Sequence, residues 1–124
     1  MKIYESAEDY LEMILVLKRK KGSVHSIDIA HEMNFSKPSV SIAMKKLRED
    51  NLITINNSRE IDLTPAGREI AERIYERHVV ISQILMKIGV EETTAVKEAC
   101  RIEHVISQDS FEKLKAAGKE GNLL

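Results

Sequence analysis

Cys100, Glu103 and His104 follow one another at i, i+3 and i+4. An α-helix turns about 100° per residue, so these side chains fall within roughly one quadrant of such a helix. Thiolate, carboxylate and imidazole are three of the common protein ligands of a divalent transition metal. His78 stands in an otherwise apolar stripe of Ile70, Ile74, Ile81, Leu85 and Ile88. Asp9 and Glu12 add two carboxylates at i, i+3 near the start of the chain. Each cluster also has an ordinary reading: a packed cysteine, a hydrogen-bonded core histidine, acids favoured by a helix N-terminus. Taken together, three separate helices each contribute metal-type residues. Burying Asp9, Glu12 and Glu103 unpaired would cost several kcal/mol each, and a cation would offset their repulsion.

The elements that must position these residues are legible from hydrophobic spacing. Ser6 and Asp9 have the spacing of a capping box, and Tyr10, Ile14 and Leu17 recur at helical intervals, predicting a first helix from about Ala7 to Lys20 that stops near Gly22. Ser26 opens a short second helix ending at Met33, and Asn34-Phe35-Ser36 reads as a tight turn. Pro38 sits in the first turn of a third helix, whose Val40, Ala43, Met44 and Leu47 form an apolar face. A short helix, a turn and a helix with one buried and one small, polar, basic face make a helix-turn-helix. Leu52–Ile55 and Glu60–Leu63 are β-prone runs around Asn56-Asn57-Ser58-Arg59; asparagine tolerates positive φ, so the segment reads as a hairpin, the wing of a winged helix.

Thr64-Pro65 is an N-cap with proline at the first helical position, and a long helix runs from there to a cap near Gly89. Two more helices follow, over about Glu92–Ile106 and Gln108–Ala117, leaving a frayed tail from Gly118 to Leu124. The predicted fold is therefore mainly α: a winged helix-turn-helix over residues 1–64 and an all-helical dimerisation domain over residues 65–124. The later helices carry more apolar surface than one small layer can bury, which predicts a homodimer.

With 43% hydrophobic and 31% charged residues over 124 positions, the composition is that of a globular chain and not a disordered one. The net charge of −1 requires any nucleic-acid binding to come from a local basic face. A single cysteine forms no intrachain disulfide and suits a reducing cytoplasm. The N-terminal MKIYESAEDY has no apolar core of a signal peptide, and the longest apolar run near it, Met13–Leu17, is far too short to span a membrane. No Gly-rich anion cradle or third orienting motif accompanies Cys100 and His104, so no catalytic residue is assigned and an enzyme is not expected.

Ser6-Ala-Glu-Asp9-Tyr10-Leu-Glu12, Pro38-Ser-Val-Ser41, Leu63-Thr-Pro-Ala-Gly67, Arg77-His78 and Glu98-Ala-Cys100-Arg-Ile-Glu103-His104-Val together resemble the diphtheria toxin repressor family, the iron- and manganese-responsive repressors of bacteria. The resemblance runs from about Ser6 to Ala117. It implies a metal-activated homodimeric repressor controlling metal-ion homeostasis, with ligands at Asp9, Glu12, His78, Cys100, Glu103 and His104. The implied metal is Mn²⁺ or Fe²⁺, with Co²⁺ or Zn²⁺ able to substitute in vitro. The pattern is a hybrid: Asp9 and Glu12 match the manganese-responsive branch, whereas Cys100 matches the iron-responsive one. Ser82 and Val96 stand where the iron branch has the Glu and His of its ancillary site, so that version of a second site is not expected. The length also leaves no room for the β-barrel domain that longer members carry.

The expected partner is double-stranded operator DNA, with no membrane. Lys37, Lys45, Lys46 and Arg59 would attract phosphates, while Ser36, Ser39 and Ser41 would hydrogen-bond them. Pro38 and Ile42 offer only apolar contact, suited to thymine methyl groups. The rival expectation is a winged-helix regulator of the same fold that ignores metals and answers to another ligand.

Overall fold

A computed structural model of the chain describes residues 5–124. The first residues of the segment read above for a signal peptide, Met1 to Tyr4, lie outside the described residues. The element order is α1 (Glu5–Lys21), α2 (Ser26–Met33), α3 (Lys37–Glu49), β1 (Ile53–Ile55), β2 (Ile61–Leu63), α4 (Pro65–Lys87), α5 (Glu92–Val105) and α6 (Gln108–Glu120). The chain forms two compact units, residues 1–72 and 73–124, with the division inside α4. No described helix is long and apolar enough to cross a membrane.

The first unit is a winged helix-turn-helix, built as its periodicity predicts. α1 buries Tyr10, Leu11, Ile14, Leu15 and Leu17, ends in Lys18, Arg19, Lys20 and Lys21, and is followed by Gly22 at φ 88°. Basic residues at that end complement the helix dipole. Ser6 proves to lie inside α1, so it is not the N-cap; the helix already includes Glu5, an acid favoured in a first turn. α2 ends at Asn34 with φ 57°, and Ser36 caps α3 by accepting a hydrogen bond from the Ser39 amide at 3.3 Å. α3 buries Val40, Met44 and Leu47.

β1 and β2 pair antiparallel, with Ile53 opposite Leu63 and Ile55 opposite Ile61. In the wing the positive φ falls at Arg59 (65°), not at the asparagines. Asn56 works instead through its side chain, whose Oδ1 accepts the amides of Ser58 and Glu60, both at 2.9 Å. The wing is anchored where the Ile61 amide donates to the Val24 carbonyl at 2.7 Å. Thr64 caps α4 by accepting the Gly67 amide at 3.1 Å. Gly67 must lack a side chain, since a Cβ there would lie 2.0 Å from the Leu52 carbonyl oxygen.

The second unit packs the later part of α4 with α5 and α6 around Val80, Ile81, Ile84, Ala99 and Phe111. Of the apolar residues expected to crowd this part, Ile74, Ile81 and Phe111 are buried, while Leu85, Ile102, Ile106 and Leu114 are half-buried. Ile88 is 62% exposed, as is Val105 at 78%. The tail is not frayed as its terminal position suggested. α6 continues to Glu120, Gly118 is buried, and the Leu123 amide donates to the Gly118 carbonyl at 2.7 Å. Leu123 packs on the core, and Leu124 lies against Gly118, where a Cβ would meet its Cδ1 at 3.1 Å.

Candidate metal centre and DNA-binding face

α4 and α5 bring the expected ligands of the second unit together. His78 Nδ1 and Glu103 Oε2 are 2.9 Å apart, and Cys100 Sγ lies 3.7 Å from the same ring nitrogen. One ligand atom from each of His78, Cys100 and Glu103 falls within 4.8 Å of the others, a spacing that one cation can bridge. His104 Nε2 is 3.6 Å from Glu103 Oε1. The spacing on α5 explains this: positions i, i+3 and i+4 share a face, and His78 meets that face from α4.

Burial makes the cluster chemically unusual. Glu103 is fully buried, and its Oε1 accepts no hydrogen bond from any described residue. A buried carboxylate oxygen without a donor is costly, and a cation is the partner that such an oxygen fits. Cys100 is exposed, so it is not the packed cysteine of the ordinary reading. The His78 side chain is 22% exposed. Its imidazolium form is favoured first by Cys100 and then by Glu103, which outweigh desolvation and raise its pKa from 6.5 to about 10. Sulfur, imidazole and carboxylate donors around one point therefore fit a borderline divalent transition metal. Asp9 and Glu12 are half-buried on α1, three residues apart and thus neighbours on one helix face.

Arg77, which sequence reasoning used only as part of a motif, is 7% exposed and makes several contacts beside this cluster. It donates to the carbonyls of Glu103 (3.1 Å) and Ile106 (2.8 Å) and to Gln108 Oε1 (2.9 Å). A signal was present in the sequence: Ile70, Ile74, Arg77, Ile81 and Ile84 follow 4-3-4-3 spacing, so the arginine occupies a core position.

In the first unit, Ser36, Lys37, Pro38, Ser39, Ser41, Ile42, Lys45, Lys46 and Arg59 are all exposed. Ile42 stands out at 72% exposure among polar neighbours. Ser41, Lys45 and Arg59 line an open groove of about 380 Å³ that runs between α3, the start of α2 and the wing. The same groove is lined by His25, Ile27 and Arg48, which sequence reasoning did not select. Lys46 lies 3.5 Å from Asp50, and the Ser36 hydroxyl donates to the Ser39 hydroxyl at 2.8 Å, so both have protein partners already.

Residues 2–61 match the model of the iron-dependent repressor N-terminal DNA-binding domain, and residues 64–120 match that of the iron-dependent repressor metal-binding and dimerisation domain. The HTH-type transcriptional regulator MntR of Geobacillus kaustophilus (strain HTA426) is 34% identical over 109 residues, covering 88% of this chain and 77% of that protein. The chain belongs to the iron-dependent repressor family. Within this family, also called the diphtheria toxin repressor family, it is a metal-dependent DNA-binding repressor, a transcriptional regulator and not an enzyme.

Another family member, MntR of Bacillus pumilus (strain SAFR-032), is 34% identical over 109 residues, with 88% of this chain and 76% of that protein covered. Among solved structures, the manganese regulator SloR superposes with a TM-score of 0.80 at 29% identity, over 100% of this chain and 56% of SloR. A manganese-dependent transcriptional repressor in complex with manganese gives 0.79 at 25% identity, over 90% of this chain and 51% of that one. The chain thus spans about half the length of these solved relatives.

Proposed function

We propose that this repressor is a homodimer that binds operator DNA when loaded with Mn²⁺ or Fe²⁺ and so controls metal-ion homeostasis. The observation that carries the reading is the buried Glu103 carboxylate, whose Oε2 meets His78 while Oε1 accepts no hydrogen bond from a described residue. Bound there, the cation would supply positive charge and fix the ligand helices. Solved relatives whose titles name manganese support Mn²⁺, and the Cys100 thiol supports Fe²⁺ as an alternative. Asp9 and Glu12 join His78, Cys100, Glu103 and His104 in the proposed ligand set through their residue types and their match to the family motif. They stand on α1 of the DNA-binding unit, flanking Tyr10, whose ring packs edge-on against Phe35 of the helix-turn-helix turn at 6.0 Å. Ligation at α1 would therefore act on an element that packs against α2 and the wing strand β2. Metal and DNA should then strengthen each other's binding by the same factor.

On the DNA side, residues 1–64 are proposed to present α3 to the major groove and the wing to the backbone. Lys37, Lys45, Lys46 and Arg59 would meet phosphates, Ser36, Ser39 and Ser41 would hydrogen-bond them, and Pro38 and Ile42 would touch base methyls. Residues 65–124 are proposed to dimerise, which would cover exposed apolar residues such as Ile88 and Val105. Selection from a random duplex library with and without Mn²⁺ tests the reading. The selected duplex is then titrated with Mn²⁺, Fe²⁺, Co²⁺ and Zn²⁺ under reducing conditions. Equal affinity in chelator and in metal would establish the metal-independent regulator instead.

A further inference from the structure

The cluster of His78, Cys100 and Glu103 is held by a second set of contacts that involves the backbone of α5. α5 ends at Val105, so the carbonyls of its last turn lack helical donors. The Ile102 carbonyl is met by the Ile106 amide at 3.0 Å. The Glu103 and Ile106 carbonyls are met by Arg77 Nη1, at 3.1 and 2.8 Å. The other arm, Nη2, donates to Gln108 Oε1 at 2.9 Å, and the guanidinium carbon lies 5.6 Å from the Phe111 ring centroid. One planar cation on α4 thus caps the C-terminal end of α5 and grips the first turn of α6. A positive charge also suits that end of a helix dipole.

Arg77 and His78 are consecutive, and consecutive helical side chains diverge by about 100°. His78 consequently meets the side chains of the ligand turn while Arg77 meets its main chain. Shifting α5 along α4 by one residue rise, about 1.5 Å, would break both arginine contacts and carry Cys100 and Glu103 away from His78. A lysine ammonium has no second nitrogen to reach Gln108 while meeting the two carbonyls, whereas the fixed fork of an arginine reaches all three acceptors together.

We propose that Arg77 is a positioning residue for the metal: it holds the last turn of α5 in the register at which Cys100 and Glu103 converge with His78. The proposal rests on the metal-centre reading above, and its test separates the two. The full-length protein is titrated with Co²⁺ under reducing conditions and followed by visible absorption and by the thiolate-to-cobalt charge-transfer band. Variants are Arg77→Met, Arg77→Lys and Gln108→Leu, with Ile84→Ala as a reference that removes core volume and leaves the arginine's acceptors in place. Outer-shell contacts typically change metal affinity 10–100-fold. Arg77→Met is expected to weaken Co²⁺ binding by at least tenfold and to alter the band at saturation. Arg77→Lys should weaken it less. Ile84→Ala should lower the melting temperature of the metal-free protein but keep Co²⁺ affinity within about twofold of wild type.

Wild-type affinity and spectrum in Arg77→Met would overturn the positioning role while leaving the metal centre standing. So would an Ile84→Ala variant that loses as much Co²⁺ affinity as Arg77→Met. If Arg77→Met fails to fold by circular dichroism, Arg77→Lys and Gln108→Leu decide, and unchanged Co²⁺ affinity in both overturns the proposal. A wild-type protein that takes no Co²⁺ at all overturns the metal centre and this proposal together.

Discussion

Metal uptake should expel a proton from His78, and the size of the effect follows from the geometry. His78 Nδ1 faces Glu103 Oε2 at 2.9 Å and Cys100 Sγ at 3.7 Å. Those two partners raise the His78 pKa from 6.5 to about 10, so the imidazole enters the neutral range as imidazolium. An imidazolium has no free lone pair, and a cation must displace the proton to bind. With one proton released per metal, the apparent association constant rises about tenfold per pH unit, equivalent to about 1.4 kcal/mol. Between pH 6.5 and 8.0 that amounts to about thirtyfold. Calorimetric titration with Co²⁺ in buffers of differing ionisation enthalpy counts the protons directly. At least one per cation is expected at pH 7. Release well below half a proton would overturn this expectation, because His78 would then be neutral beforehand or not a ligand. In metal-free protein the linkage has the opposite consequence. A raised folded-state pKa contributes stability that is complete below 6.5 and fades as the pH climbs through about 10. Glu103→Gln, which removes one of the two causes, should flatten that decline.

On the DNA side, Lys45→Ala and Arg59→Ala should each lower the slope of log K against log salt by about 0.9 for each phosphate left without its cation, or about 1.8 for a dimer. Anisotropy titrations between 50 and 200 mM salt measure this; Lys46→Ala should change it less, because Asp50 already lies 3.5 Å from Lys46. Cys100→Glu should shift relative activation toward Mn²⁺ by exchanging a soft donor for a hard one, and unchanged relative activation by Mn²⁺, Fe²⁺ and Co²⁺ would remove the thiol from the ligand set. Gly67→Ala should destabilise the protein by roughly 1–3 kcal/mol, since its Cβ would meet the Leu52 carbonyl oxygen at 2.0 Å; a thermal melt matching wild type would show that α4 and the Leu52 backbone separate more easily than argued.

The helix-turn-helix was legible because its apolar faces repeat at helical spacing and its boundaries carry local signals, such as Pro38 in the first turn of α3 and Thr64 before α4. Such signals operate within a few residues, and so does the metal-ligand spacing on α5. What escaped reading depends on long-range contact. The tail after Ala117 is polar and carries Gly118, yet Gly118 is buried against the Ile84 and Leu124 side chains. Asn56 looked like a positive-φ residue, but its side chain accepts two amides and leaves the left-handed conformation to Arg59. Ser6 had the residue type of a cap, but α1 already includes Glu5.

Arg77 shows how such long-range information could be recovered from sequence. A cation at a core position of an apolar stripe is costly to bury unless it finds several acceptors. A helix end is where unpaired carbonyls are concentrated. An arginine on one helix's apolar stripe, a following helix that ends without a glycine cap and a ligand cluster in that last turn are three separate signals. Each is readable in this sequence: Arg77 within the stripe, no glycine between Cys100 and Gln108, and Cys100, Glu103 and His104 in the final turns of α5. Their conjunction identifies which arginine should meet those carbonyls. The metal ligands and the residue that holds their helix in register are therefore two readings of the same stretch of α4, one from His78 and one from its neighbour.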